Sequence, residues 1–225
     1  MTSPRHFFWF MSLGLFWGIS PSMYKQLSNT NIHWSHTIVI TGFGVGLLMW
    51  ALSAWRNGTW KLEASVLRYG AGCAFLMNIP FGVNLFLAAH VPPTELSIVI
   101  TTSPFFSYVL ALATGWEVAT GRRLLAIAAG FTSTLVLILS REGMLQGQVS
   151  WWLVASLSVP ILYTFYNAYG GHAWPDKADT LKAGAAESLF SGLFALPLVL
   201  LFAPFGAEGS PNLSGYWIML PLVVM

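Results

Sequence analysis

Charged residues are scarce in this chain, with 10 Lys and Arg and 8 Asp and Glu among 225 residues. Soluble globular domains carry about 25% charged residues, whereas this chain is 8% charged and 56% hydrophobic. The charges lie in short gaps between apolar runs of about 20 residues, the helix length that crosses a hydrocarbon core of roughly 30 Å. The composition therefore excludes an ordinary soluble domain and predicts an all-α integral membrane protein embedded in a lipid bilayer.

Other features are also absent from the sequence, and each absence argues against a class of function. A single cysteine, Cys73, excludes an intrachain disulfide framework and a cysteine-based zinc site. The basic residues form no cluster with interleaved aromatics, so we expect no nucleic-acid partner. The sequence carries no zinc-protease, nucleophile-elbow or phosphate-loop motif. We therefore expect that the protein is not an enzyme and has no metal site and no cofactor.

Apolar segments follow one another along the chain, separated by turn-forming residues such as Asn57-Gly58 and Pro92-Pro93. Backbone N–H and C=O groups inside a bilayer must be satisfied within the segment, so these runs are interpreted as helices. The last run is about half as long as a crossing requires. We therefore expect the chain to be truncated relative to a working protein, or its last segment to be partly inserted. The eight segments cover about residues 7–25, 36–55, 66–90, 95–115, 123–140, 151–171, 181–204 and 215–225.

The basic residues predict an orientation in the membrane. Cytoplasmic loops are enriched in Lys and Arg, and threading the segments in order places all but two of these residues on one side. A cytoplasmic N-terminus leaves only Lys25 and Arg141 outside. The residues on the cytoplasmic side are then Arg5, Arg56, Lys61, Arg68, Arg122, Arg123, Lys177 and Lys182.

A weak internal similarity relates the first and sixth segments. Both begin with paired aromatic residues, contain Ser-Leu and end in a Tyr-rich stretch, and the two Ser-Leu pairs begin at Ser12 and Ser156. Five predicted helices lie in this interval, so the second copy would enter the membrane in the opposite direction. Inverted repeats of this kind recur among transporters.

Small residues and prolines interrupt several predicted helices. Gly14-x-x-x-Gly18 and Gly42-x-x-x-Gly46 are typical of close helix packing, and we favour that role over contact with a substrate. Prolines within spans free a backbone carbonyl and produce kinks. Asn78 stands near Pro80, and Thr101, Thr102 and Ser103 directly precede Pro104, so two spans carry polar groups near a proline. Interrupted helices of this kind indicate the binding site in transporters, although a purely structural kink is an equal alternative.

Polar residues in the sixth and seventh segments are the remaining candidates. Tyr163, Tyr166 and Asn167 are spaced i, i+3 and i+4, which predicts one shared helix face for a ligand or for interhelical hydrogen bonds. Glu187 is the one carboxylate well inside an apolar run, so it is a candidate proton or cation coupling site. Lys182, on the same segment, is an alternative partner that would neutralise it.

The order of motifs resembles the drug/metabolite transporter superfamily, in its EamA-like branch. The similarity covers about residues 7–204 and includes Trp17-Gly18, the stretch from Leu85 through Pro104, Ala113 to Glu117, Gly121 to Arg123, and Gly130. The resemblance implies ten helices in two inverted five-helix repeats around a central cavity. Residues 1–145 would form the first repeat, and residues 146–225 a second repeat truncated to three helices.

What the resemblance implies for function is a secondary transporter, most simply an exporter of a small metabolite such as an amino acid or drug-like compound. Such proteins reside in the bacterial inner membrane. The alternative is a truncated, non-transporting membrane scaffold, and a second copy or a partner would supply the missing helices. The cavity residues carried over by position are Trp17, Asn78, Thr101, Thr102, Ser103, Tyr163, Tyr166 and Asn167, whereas Glu117 would be a structural acid in a loop.

Overall fold

The computed structural model describes residues 4–30, 32–139, 151–176 and 178–202, together with residues 217 and 219. These residues form helices and no strand, as the sequence predicts. The helices are α1 (Pro4–Ser28), α2 (Trp34–Asn57), α3 (Ala64–Leu87), α4 (Pro93–Ile100), α5 (Ser103–Ala113), α6 (Gly121–Leu139), α7 (Trp151–Ser156), α8 (Ser158–His172) and α9 (Thr180–Phe202). The eighth apolar segment, 215–225, lies almost entirely outside the described residues.

Four stretches of the described chain are long and apolar enough to cross a membrane. They are α2, α3, the pair α4–α5 taken together as Pro93–Ala113, and Thr180–Leu201 within α9. The protein is therefore membrane-embedded by length and composition, as the scarcity of charge predicts. The arrangement of two inverted repeats stays a prediction.

Two of the predicted segments are broken helices, and the breaks occur just before prolines. The fourth segment divides at Thr101 and Thr102, ahead of Pro104, and the sixth divides at Leu157, ahead of Pro160. Because proline has no N–H, the carbonyl four residues earlier loses its helical donor. At Pro104 that carbonyl belongs to Ile100, and the Ser103 hydroxyl donates to it at 2.7 Å. By contrast, α1, α3 and α9 continue through Pro21, Pro80 and Pro197.

The centre of the bundle is the packing of α9 against α2 and α3. A Cβ added to Gly42 would lie 2.6 Å from the Gly192 backbone nitrogen, and one added to Gly46 would lie 2.8 Å from that of Leu189. A Cβ on Gly70 of α3 would likewise meet Ala186 at 2.6 Å. The second glycine motif therefore has the predicted packing role. Gly14 and Gly18 do not, because a Cβ on either residue would meet nothing within 4 Å.

Interhelical contacts define two ends of the bundle. At one end, called the Asp179 end, Ser53 and Asn57 donate hydrogen bonds to Asp179, and Trp116 stacks on His172 at 3.7 Å. This end gathers the connections 58–63 and 114–120 and the described residues between α8 and α9. Lys25 marks the other end, where its Nζ donates to the Ala89 carbonyl at 3.1 Å and where α1 joins α2 and α3 joins α4. Successive spans thus alternate in direction as predicted, while the choice of cytoplasmic end stays a prediction.

Candidate functional site

A cavity of about 550 Å³ lies among α1, α2, α3, α4, α8 and α9. Its volume is within the range of about 300–1,000 Å³ that is typical of small-molecule sites. α1 forms one wall and packs on α4 and α3, while α2 and α9 form the opposite wall. Gly14 and Gly18 of α1 face this space, which explains why neither packs against a helix. The first glycine motif therefore widens a cavity.

Glu187 provides the charged group of the cavity. Tyr166 of α8 donates its hydroxyl to Glu187 Oε1 at 2.7 Å, and this bond links α8 to α9. The sequence offers Lys182 as an alternative partner of Glu187, and the structure contradicts that pairing. Lys182 Nζ instead bonds Glu63 Oε1 at 2.7 Å, because residues five apart on a helix point about 140° away from each other. Within the described part of the chain, Glu187 has no cationic partner.

An aromatic layer separates Glu187 from the Asp179 end. Tyr69 of α3 stacks with Tyr169 of α8 at 6.2 Å between ring centroids, and it meets Trp174 edge-on at 5.3 Å. The Tyr69 hydroxyl also donates to the Gly170 carbonyl at 3.3 Å. Cys73, with 0% of its surface exposed, packs in the same cluster. These ring contacts join α3 to α8 beside Glu187.

Two hydrogen-bonded carboxylates link helices at the Asp179 end. The Lys182 ammonium donates to Glu63 and holds the pKa of that carboxyl below its usual value. Partial burial opposes the ionisation of Asp179. Hydrogen bonds from Asn57, the Leu181 N–H and Ser53 more than offset it, so the Asp179 pKa is also lowered. Both groups lie outside the membrane-spanning segments and connect α2 or the α2–α3 loop to the start of α9.

Asn84 is the second notable polar group in the cavity wall. It is 2% exposed, and its side-chain oxygen Oδ1 has no hydrogen-bond partner among the described residues. Buried polar atoms normally have hydrogen-bond partners, so a buried atom without one requires an explanation. Asn84 is 14 residues (84 − 70) beyond Gly70, which packs at the level of Ala186 and Glu187. At 1.5 Å per residue, Asn84 and Glu187 therefore stand about 21 Å apart along the bundle.

The polar break in the fourth segment contributes one cavity residue of the three predicted. Thr101 lines the cavity, and its hydroxyl also donates to the Ile98 carbonyl at 2.6 Å. Thr102 and Ser103 lie outside the cavity wall. The Thr102 hydroxyl donates to the Val99 carbonyl at 2.6 Å, as Ser103 does to Ile100. These donors compensate for the helical bonds lost ahead of Pro104, which explains why hydroxyl residues stand there.

The helix face predicted in the sixth segment, formed by Tyr163, Tyr166 and Asn167, lies only partly in the cavity wall. Tyr163 lines the cavity, and Tyr166 lies beside it through its bond to Glu187. Asn167 is exposed and does not line the cavity. Successive helical residues turn by about 100°, so Asn167 is rotated about 100° from Tyr166 even though both neighbour Tyr163 in helical spacing. Of these three residues only Tyr163 is in the cavity wall, so a ligand-binding face that includes Asn167 stays a prediction.

Asn78 and Trp17 complete the predicted set. The Asn78 amide donates to the Ser191 carbonyl at 2.9 Å and accepts from the Ser191 hydroxyl, so it joins α3 to α9. It faces a second, largely apolar cavity of about 680 Å³. The backbone of Trp17 lies in α1 between Gly14 and Gly18, which line the 550 Å³ cavity. The side chain of Trp17 is outside the part that the structure describes.

Several cavity residues escaped the sequence analysis. Asn84 and Tyr24 are polar residues inside or at the end of apolar runs, a signal that was present in the sequence. The small hydroxyl residues gave no comparable signal, because serine and threonine are common within membrane helices. The missed lining residues with polar side chains are Ser20, Tyr24, Thr41, Asn84, Ser97, Ser188 and Ser191.

The chain matches no protein-family model, no curated protein and no solved structure.

Proposed function

We propose that the protein is a secondary transporter that moves a small metabolite across the membrane by alternating access. The observation that carries this proposal is a ligand-sized cavity, with a carboxylate and further polar groups in its wall, inside a bundle of membrane-spanning helices. Polar groups at this depth are costly, so they mark functional sites by default. The geometry supports a small molecule as the occupant.

The contacts at the Asp179 end fit the closed side of one state of an alternating-access cycle. In that state the aromatic layer and the two carboxylates of the Asp179 end separate Glu187 from the water on that side. Transport requires these contacts to break while the opposite side closes. The two inverted repeats, residues 1–145 and 146–225, the cytoplasmic N-terminus and residence in the bacterial inner membrane belong to this proposal.

Glu187 is proposed to couple transport to protons or to another cation. It faces the cavity, and its partner is the neutral hydroxyl of Tyr166. A carboxylate held this way can exchange a proton for a cationic ligand, whereas one paired with lysine would stay ionised. Lys182 is committed to Glu63, which leaves Glu187 available for that role.

The test is solute flux into proteoliposomes that contain the purified full chain. A panel of amino acids, amines and neutral drug-like compounds is applied with and without an imposed pH gradient. We expect saturable uptake of at least one solute, and gradient dependence that Glu187→Gln abolishes. Glu95→Gln is the matched control, because Glu95 lies in the first turn of α4 and outside the cavity wall.

A folded chain that moves none of the panel would refute transport and favour the membrane scaffold. Folding is checked separately by a monodisperse elution profile and a cooperative melting transition in detergent. Flux that is unchanged in Glu187→Gln would remove the coupling role and leave transport standing.

A further inference from the structure

The charge of the 550 Å³ cavity that Glu187 lines indicates the chemical class of its ligand. Among the described residues, its wall contains one carboxylate, Glu187, and no lysine, arginine or histidine. Hydroxyl and amide groups supply the remaining polar atoms. Such a wall attracts a positively charged ligand and disfavours an anion, because no group would neutralise a buried negative charge.

Among the described residues, no positively charged side chain forms an ion pair with Glu187. The side chains that interact with Glu187 or stand next to it in the wall are neutral: Tyr166 on α8, Tyr69 and Cys73 on α3, and Ser188 on α9 itself. Tyr166 holds Oε1, while Oε2 has no partner within the described part of the chain. The ion pairs that the described residues do form, Lys182–Glu63 and Arg123–Glu117, do not involve Glu187. A ligand nitrogen that donates to Oε2 would complete the site.

The rest of the wall indicates a compact apolar body attached to that nitrogen. Apolar surface predominates in the lining, and it includes an aromatic pair, Tyr24 and Phe81, with ring centroids 5.6 Å apart. A bare metal cation prefers several oxygen ligands at close range, and the described residues hold no cluster of three or more metal-binding side chains. Aromatic faces and aliphatic side chains instead suit an organic cation.

Resting on the proposed transport function, we propose that the cavity binds a protonated amine with a compact apolar body, its ammonium group at Glu187. The Tyr166 hydroxyl is the positioning group that fixes the carboxylate. Asn84, about 21 Å away along α3, offers its unsatisfied oxygen to an ammonium N–H nearer the Lys25 end. An amine crossing the cavity therefore meets an acceptor at each end.

The experiment measures equilibrium binding of radiolabelled phenethylamine to the native full chain in lipid nanodiscs. Three unlabelled competitors share nearly the same body and differ in charge: phenethylamine is a cation, phenethyl alcohol is neutral and phenylpropionate is an anion. We expect the amine to compete at least tenfold better than the alcohol and phenylpropionate not to compete. This series needs no variant, so it does not depend on how a substituted chain folds.

Two variants then locate the ammonium. Glu187→Gln keeps the size of the side chain and should weaken phenethylamine binding at least tenfold, whereas Glu95→Gln should leave it unchanged. Equal competition by alcohol and amine, displacement by phenylpropionate, displacement by sodium or potassium alone, or no saturable amine binding would each overturn the proposal. Unchanged binding in a folded Glu187→Gln chain would do so as well.

The outcomes separate this proposal from the transport function. A chain that moves neutral or acidic solutes but does not bind the amine would retain transport and refute the amine site. A chain that binds the amine selectively but moves no solute would retain the site and refute transport.

Discussion

Replacing Gly42 by alanine tests whether α2 and α9 pack at the level of their backbones. The added Cβ would lie 2.6 Å from the Gly192 nitrogen and 2.9 Å from the Ser188 carbonyl oxygen. Both atoms belong to the backbone, so no side chain can rotate away. Restoring an ordinary contact of 3.4 Å requires α2 and α9 to separate by about 0.8 Å (3.4 − 2.6) at their crossing. A gap of 0.5–1 Å forfeits roughly a quarter to a half of the dispersion energy of the atoms involved.

The size of the effect follows from two opposing contributions. Overpacking of a dense interface costs about 1–3 kcal/mol, and alanine recovers up to about 1 kcal/mol of helix propensity relative to glycine. The free energy of unfolding should therefore fall by about 1–2 kcal/mol. At roughly 2–4 °C per kcal/mol for a chain of this length, the melting temperature falls by about 2–8 °C.

Gly14→Ala is the matched control for this experiment. It makes the same chemical change in a membrane-region helix, yet its Cβ meets nothing within 4 Å, so the melting temperature should be unchanged or slightly higher. The assay is thermal unfolding in detergent, followed by the fraction of protein that remains monodisperse. Equal melting temperatures for the two variants would refute the close approach of α2 and α9.

Three further predictions concern the cavity and the Asp179 end. Asn84→Leu should raise the free energy of unfolding by about 1–3 kcal/mol, because it removes an unsatisfied buried oxygen; thermal unfolding tests this, and a destabilised variant would contradict it. The same variant should slow solute flux, which proteoliposome uptake measures. Glu63→Gln removes the ionic partner of Lys182, a lysine that is only 8% exposed, so maleimide should label the buried Cys73 faster at constant pH. An unchanged labelling rate would show that this ion pair does not limit access to Cys73 from the Asp179 end. The pKa of Glu63 and that of Asp179 are lowered from 4.5 and 3.8, so their stabilising bonds persist above these values and are lost as pH falls through the folded-state pKa values. The melting temperature should therefore drop as the pH is lowered from about 5 towards 3, less steeply in Asp179→Asn, and parallel pH curves for the two chains would contradict this assignment.

The helical architecture was predictable because lipid leaves a chain few alternatives. Short charged gaps bound most of the predicted helices, since neither charge nor unpaired backbone is tolerated in hydrocarbon. The break before Pro104 was also predictable, because the lost donor and the nearby hydroxyls are both visible in the sequence. Local rules of this kind need no knowledge of which helix lies beside which.

Membership of the cavity was only partly predictable, because it depends on how each helix is rotated. Asn78 and Asn84 occupy the same helix and the same kind of apolar run, yet one joins α3 to α9 and the other faces the cavity. Six residues at about 100° each separate their directions by about 120°, and nothing in the sequence says which direction faces the ligand. By contrast, helical geometry alone would have excluded the Lys182–Glu187 pair, because partners on one helix lie three or four residues apart.

The kinds of contact made by α9 indicate where movement in the proposed cycle would take place. α9 meets α2 and α3 through glycines, with backbone atoms at closest approach, so a change of angle there would open gaps along both helices. α8, in contrast, meets α3 and α9 through side chains: the Tyr69–Tyr169 stack and the Tyr166–Glu187 hydrogen bond. Such contacts can break singly and reform. Since Glu187 lies in that second interface, breaking its bond to Tyr166 would free α8 from α9 near the Asp179 end while the glycine contacts of α9 stay in place.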